Sequence, residues 1–537
     1  YFALCVTLLS VLSGIACLIH RDEDPQPTRA EQWEKVREAE VRGLPRTAIE
    51  LLDPIIAAAI KEKAYPEATK AIAKKILHES SVEDEADKII RMQAAIASAP
   101  AEMQPVMNVI LAHWWQSYLE TSAWRIQDRT KTSELPDSDI RTWDLDRIQT
   151  EAEKTFAKAL VNEKELKATP VGTYSFLLDE GSIPDKYRPT LYDILAFDAV
   201  NFYASNNQIG ARPEDAFDLP EDSPIFGTTA EFLKWEPKTT DASNRTVKAI
   251  KLYQKLLAFH KDDKDQSAFL DVDLHRLRFG WNKAVGTQTS AKYIAALEAF
   301  IKANARHELS AMARYIQANA THAEGDYVKA HALATLGSKA FPDSDGGKLC
   351  HNFIHAIEEK SAATTTERVW GDPLPEIKVT YKNITKAYFR VVSVDYAQRM
   401  KGNDHPEQLS KEEGKALLSE KPVLEFSRDL PATADYKERT EAIPAPAGLK
   451  SGFYYLVVSH AKDFGEKDNT VRYTSFWVSN LALITRHFNG DAAGLVTDSR
   501  TGEPIEGASV KLWLFNKLGW QPEKTVTTDK NGLYQIK

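Results

Sequence analysis

Four groups of residues have types and spacings from which chemistry could be built. Cys350, His351, His355 and Glu359 lie close together, and His351 and His355, four apart, share one helix face. A helical metalloprotease centre also needs a glutamate directly after its first histidine as general base, and that position is Asn352. The group therefore reads as a packed helix end holding no metal, with Cys350 a buried small hydrophobe beside Phe353 and Ile354. Gly346-Gly347-Lys348-Leu349 lacks the upstream glycine and the Ser/Thr after lysine that let a phosphate loop cradle a nucleotide and its magnesium. Trp114, Trp115 and Tyr118 could stack on a sugar or a peptide, but at helical spacing they read as core. The sequence has no Gly-x-Ser-x-Gly elbow for a serine nucleophile. The expectation is a chain with no catalytic residue, no cofactor and no metal.

One further reactive position, Cys17, depends on an address segment. Residues 1–19 carry no charge and run into His20-Arg21-Asp22-Glu23-Asp24-Pro25. The chain begins with Tyr1 rather than Met and stops at Lys537 within a strand pattern, so it reads as a fragment lacking both ends. About 20 apolar residues span a bilayer, so length does not separate three readings of residues 1–21. Ser13, Gly14 and Ala16 suit a cleaved signal peptide. Ala16-Cys17 suits a lipoprotein junction with Cys17 acylated, although Gly14 stands where such signals usually carry Leu. A retained anchoring helix is the third. All three export the chain. Cys5, Cys17 and Cys350 are the only thiols, so an exported chain of this size is held by its cores rather than by a disulfide framework.

The elements that must position these residues divide by composition. With 537 residues, 43% hydrophobic and 27% charged, the chain exceeds the roughly 250–300 residues at which single cores stop growing, so several domains are expected. Lys+Arg 68 against Asp+Glu 77 gives a net charge of −9, which disfavours nucleic acid as a partner. Residues 22–360 show apolar positions at helical spacing, and Ala311, Ala318, Gly325-Asp326-Tyr327, Ala330 and Pro342 fit a tetratricopeptide-like helix–turn–helix unit. The rest matches more loosely, so the region reads as an irregular helical solenoid. Residues 205–240, rich in Pro, Asp and Gly, read as an acidic surface insertion.

Residues 361–369 read as a linker, after which the period becomes two. Ile377, Val379 and Tyr381 alternate with polar partners; Tyr388, Arg390, Val392 and Val394 face one side of the next strand, Phe389 and Val391 the other. With 452–460 and a single strand over 474–485, these make residues 370–486 a β-sandwich with one short helix at 410–420. A second, truncated sandwich is expected over 487–537. In it Thr501-Gly502 closes a hairpin, Pro504 breaks pairing, and Asp529-Lys530-Asn531-Gly532 turns.

This last motif, following a sandwich and an exported helical preface, resembles the N-terminal part of the large bacterial alpha-2-macroglobulin-like proteins of the Bacteroidetes type. The preface carries the resemblance in Trp33, Gly43-Leu44-Pro45-Arg46-Thr47-Ala48, Glu62-Lys63-Ala64-Tyr65 and Pro189-Thr190-Leu191-Tyr192-Asp193. The β part carries it in Gly371-Asp372-Pro373-Leu374-Pro375, 389–394, 452–459, 476–481 and 498–510, then 528–532. The resemblance implies a periplasmic or envelope-attached string of macroglobulin-type sandwiches that traps proteases after they cut a bait segment. Target proteases would meet a part beyond this chain, and an envelope protein could meet the helical region. The thioester Cys-x-Glu-Gln of some members is absent at Cys5, Cys17 and Cys350. An alternative from another class is an envelope assembly or carbohydrate-related binding protein, because the Thr501-Gly502-Glu503-Pro504 motif also marks carboxypeptidase regulatory-like sandwiches.

Overall fold

A helix that must reverse within a few residues needs one residue in the left-handed region and partners for its last carbonyls. Helix α1 (Ala30–Val41) meets both needs at Gly43, φ +67, whose N–H bonds the Glu40 carbonyl while the Leu44 N–H bonds the Ala39 carbonyl. Helix α2 (Pro45–Lys61) then starts with proline in its first turn, where no N–H is missed. The α2 end repeats the motif residue for residue: Lys63, φ +59, bonds Ile60 and Ala64 bonds Ala59 before α3 (Tyr65–Glu79).

The computed structural model describes residues 29–80, 85–126, 139–178, 183–205, 217–241, 244–401, 405–488, 491–516 and 519–536. The address segment with Cys5 and Cys17 lies outside them. Contacts divide the chain into two units, Tyr1–Ala313 and Arg314–Lys537.

In the first unit, α4 (Glu85–Ser98), α5 (Gln104–Ile126) and α6 (Leu145–Ala159) continue the chain of helices, each packed on its predecessor. Helix α7 (Leu191–Ala204) packs on α8 (Arg245–His260), which packs on α9 (Ser267–Lys283), followed by α10 (Thr289–Ala303). Trp115, Phe156, Tyr192 and Phe197 fill a shared core. The 205–240 stretch is corrected in its described part. Leu219–Pro220 pairs in parallel with Ala284–Val285, and a helix over Thr229–Lys234 carries a Thr228/Glu231 capping box. Ile225 and Phe232 are fully buried, and buried Arg276 donates to the Ile225 and Gly227 carbonyls at 2.8 and 3.1 Å. Leu219, Ile225 and Phe232 are too widely spaced to show a period, which is why the segment reads as loop.

The boundary at Ala313 falls within α11 (Leu309–Ala323). In the second unit the same turn recurs at Gly325, φ +86, whose N–H bonds His322 while that of Asp326 bonds Thr321. Helices α12 (Tyr327–Ala340) and α13 (Asp345–Glu358) then pack together. The linker reading of 361–369 is corrected. Ser361–Thr365 forms strand β1, paired antiparallel with β3 (Glu376–Lys382), and β2 (Val369–Trp370) pairs with β8 (Arg472–Val478). Small Ala and Thr side chains suit a strand that packs closely on a facing sheet, and their low hydrophobicity hid it.

Strands β1, β3 and β6 (Arg439–Pro444) form one sheet. The other runs in the order β2, β8, β7 (Gly452–Ser459), β4 (Lys386–Val394) and β5 (Leu424–Asp429). Ile377, Val379 and Tyr381 from the first meet Phe389, Val391, Leu456, Val458 and Phe476 from the second in one core. Strand β7 is buried along nearly its whole length because its other face, Phe453, Tyr455 and Val457, is covered by the helix Lys411–Ser419 and Phe464.

The single strand expected over 474–485 is two. After Val478 the Ser479 N–H bonds the Trp370 carbonyl, and β9 (Leu481–Phe488) begins a new sheet with β10 (Asp491–Asp498) and β13 (Leu533–Ile536). The hairpin of β11 (Ser509–Asn516) and β12 (Gly519–Thr527) completes this module, which thus starts before 487. Gly532, φ +72, turns into β13 where a Cβ would stand 2.5 Å from the Val496 carbonyl oxygen.

Candidate functional site

The residues first singled out lie on α13. Ser344 caps its start by accepting from the Gly347 N–H at 3.1 Å, and a Cβ on Gly347 would stand 1.8 Å from the Phe341 carbonyl oxygen. Gly347 therefore serves close packing rather than phosphate. Cys350 points into a core of Ala318, Ala330, Ala334 and Ile357, and burial pushes its thiol up to about 11, away from thiolate chemistry. His351 and His355 are on the opposite, exposed face, with their Nε2 atoms 3.1 Å apart. The packed-end reading of these two histidines is thus corrected: the helix turns the thiol inward and the imidazoles out. Glu359 is exposed at the C-cap. Among the described residues no group of three or more His, Cys, Asp and Glu could hold a metal ion. Trp114, Trp115 and Tyr118 are buried, and Trp115 stacks on Trp143 at 5.7 Å.

A buried ionic group in the first unit escaped sequence reasoning. Thr190 and Asp193 form a capping box at the start of α7, in which Asp193 Oδ2 accepts from the Thr190 N–H at 2.9 Å and its hydroxyl at 2.8 Å. Asp193 Oδ1 faces His260 Nε2 at 2.8 Å, and His260 Nδ1 faces Asp263 Oδ2 at 2.7 Å. His260 and Asp193 are each 1% exposed. Burial alone would lower the His260 pKa, but the hydrogen bonds and charges of Asp193 and Asp263 outweigh it and raise the value, favouring the form in which both ring nitrogens donate. Nearby, burial pushes Asp271 up to about 6, against the pull of Arg188. An Asp–His pair can orient a general base. Here the second nitrogen is occupied by Asp263 and the ring is sealed from solvent, so the group ties the α7 start to the α8 end instead. The Thr-x-x-Asp capping pattern was the available signal; the partner, distant in sequence, had none.

Each unit also has a surface cleft. That of the first, about 390 Å³, runs beside α8 between Glu236, Lys251 and Gln254. That of the second, about 440 Å³, lies where the α13 end meets the β3–β4 turn. There Asn383, φ +58, donates its side-chain amide to the Ile357 and Glu359 carbonyls at 2.6 and 3.0 Å and its backbone N–H to Thr433 Oγ1 at 2.7 Å. His331 stacks on Tyr436, with 4.9 Å between ring centroids, and meets Glu358 at 2.7 Å. The helix pair is thereby fixed to the sandwich by a polar seam that lines this cleft.

No protein-family model matches the chain, and no curated protein matches it. Among solved structures it is similar to native alpha-2-macroglobulin from Escherichia coli spanning domains MG0-NIE-MG1, at 18% identity and TM-score 0.25, over 33% of this chain and 57% of that one. It is also similar to the same protein spanning domains NIE-MG1, at 16% identity and TM-score 0.25, over 33% of this chain and 87% of that one. The chain thus spans less than two thirds of the first of these. No helix among the described residues is long and apolar enough to cross a membrane.

Proposed function

We propose that this chain is the non-catalytic scaffold and interaction part of an exported alpha-2-macroglobulin-like protease trap, acting in the periplasm or cell envelope. The observation that carries the reading is the series of β modules: β8 of one sandwich passes to β9 of the next through Ser479 and Asn480 alone. Residues behind the sequence resemblance stand at structural pivots, which adds support. Gly43 and Lys63 make the helix turns, Thr190 and Asp193 the capping box, and the stretch after Trp370, a ring stacked on Phe476 at 3.7 Å, leads into β3. The three matching helix turns favour a tetratricopeptide-like helical region, whose helix faces would receive an envelope protein. The buried Cys350 thiol and the sealed His260 suit a part that binds rather than catalyses.

The test adds a broad-specificity endopeptidase to the full-length protein that carries this chain. A trap leaves the protease able to cut a small chromogenic peptide while it loses a large protein substrate, and the two co-elute on gel filtration. Equal loss or equal retention of both activities would reject the trap.

A further inference from the structure

On α13 the inward turn of Cys350 leaves His351 and His355 together at the surface, their ring centroids 4.4 Å apart and ring planes at 76°. We propose that these two imidazoles form a bidentate site for a divalent transition-metal ion of the copper or nickel class. Imidazole–metal bonds of about 2.0–2.1 Å to nitrogens 3.1 Å apart would subtend roughly 95–102° at the ion. That angle is near the cis angle of a tetragonal ion and below the tetrahedral angle that zinc takes.

The supporting helix is held along its length, so binding orders little beyond the two side chains. Ser344 caps its start, Cys350 and Ile357 anchor its inner face, and Asn383 donates to the carbonyls at its end. With no ion bound, the 3.1 Å separation is that of an N–H···N hydrogen bond, one ring carrying its proton on Nε2 and the other accepting. When an ion binds, the donor ring moves that proton to its own Nδ1, and both Nε2 lone pairs face the metal without net proton release. The remaining coordination positions fall to water or to a donor from another molecule.

Copper(II) or nickel(II) is titrated into the whole chain by calorimetry, with copper followed also by electron paramagnetic resonance. The wild type is expected to bind one ion with hyperfine coupling to two nitrogens. His351→Gln and His355→Gln should each weaken binding at least tenfold, and the double variant should lose this site, all three unfolding at the wild-type temperature because both rings are exposed. Unchanged affinity in the double variant would mean the ion sits elsewhere, and unchanged affinity in either single variant would mean one imidazole suffices; either result overturns the proposal.

Discussion

Two carboxylates face the buried His260 ring and favour its charged form, and this makes the stability of the first unit depend on pH. Its folded pKa is raised, so the stabilisation is complete below the unfolded imidazole value of about 6.5 and is lost as pH rises through the folded value. His260→Gln keeps donors toward Asp193 but no charge, and should cost about 1.5–3 kcal/mol at pH 6, the range for hydrogen bonds to charged groups. Melting curves from pH 6 to 9 should show the gap between the two proteins closing as pH rises; parallel curves would show that the charge on His260 contributes nothing. At Gly347 the constraint is steric. Gly347→Ala places a methyl against the Phe341 carbonyl oxygen, and should destabilise the second unit by about 1–3 kcal/mol in urea titration, whereas an unchanged midpoint would mean that the backbone yields freely.

The helix turns at Gly43, Lys63 and Gly325 share one hydrogen-bond pattern, yet only two use the residue best suited to positive φ. A left-handed conformation costs an L-residue roughly 1–2 kcal/mol, and glycine returns about 0.5–1 kcal/mol of that through its greater freedom when unfolded. Lys63→Gly should therefore stabilise the first unit by about 0.5 kcal/mol, and Gly43→Ala should destabilise it by about 1 kcal/mol. Opposite shifts in denaturation midpoint would establish that the turns are equivalent, and shifts of the same sign would separate them. The β1 strand is the other element with a distinct consequence. Paired along Ser361–Thr365 with β3, it should stay uncut under limited proteolysis read by mass spectrometry, and early cleavage there would restore the linker.

At the scale of the whole chain, the helix pair α12–α13 belongs with the sandwich. Lys382 and Asn383 hold the last carbonyls of α13, and β1 leaves that helix directly to enter the three-stranded sheet. A fragment of residues 309–478 should therefore unfold in one cooperative transition, while residues 370–478, lacking β1 and the helix pair, should melt at a lower temperature or not fold. Equal melting temperatures for the two would make the helices a separate body.

Local periodicity was enough to read the helical region, the alternation of Ile377, Val379 and Tyr381 into the sandwich core, and the turn at Gly532. Each of these is set by near neighbours in the chain: a 3.6- or 2-residue period, a proline in a first turn, a glycine at positive φ. Burial of Trp114 and Trp115 was legible for the same reason. What neighbours do not set was decided only by tertiary packing. Ser361–Thr365 became a strand because β3 offered it a partner; Leu219, Ile225 and Phe232 became core because Arg276 and α9 closed over them. The handover at Ser479-Asn480 depends on Trp370 and Asp498, residues far apart in sequence. The same holds for the candidate sites. The i,i+4 spacing of His351 and His355 was visible, but which side of α13 faced the core depended on Cys350 fitting among Ala318, Ala330 and Ala334, and the pairing of Asp193 with His260 depended on bringing α7 against α8.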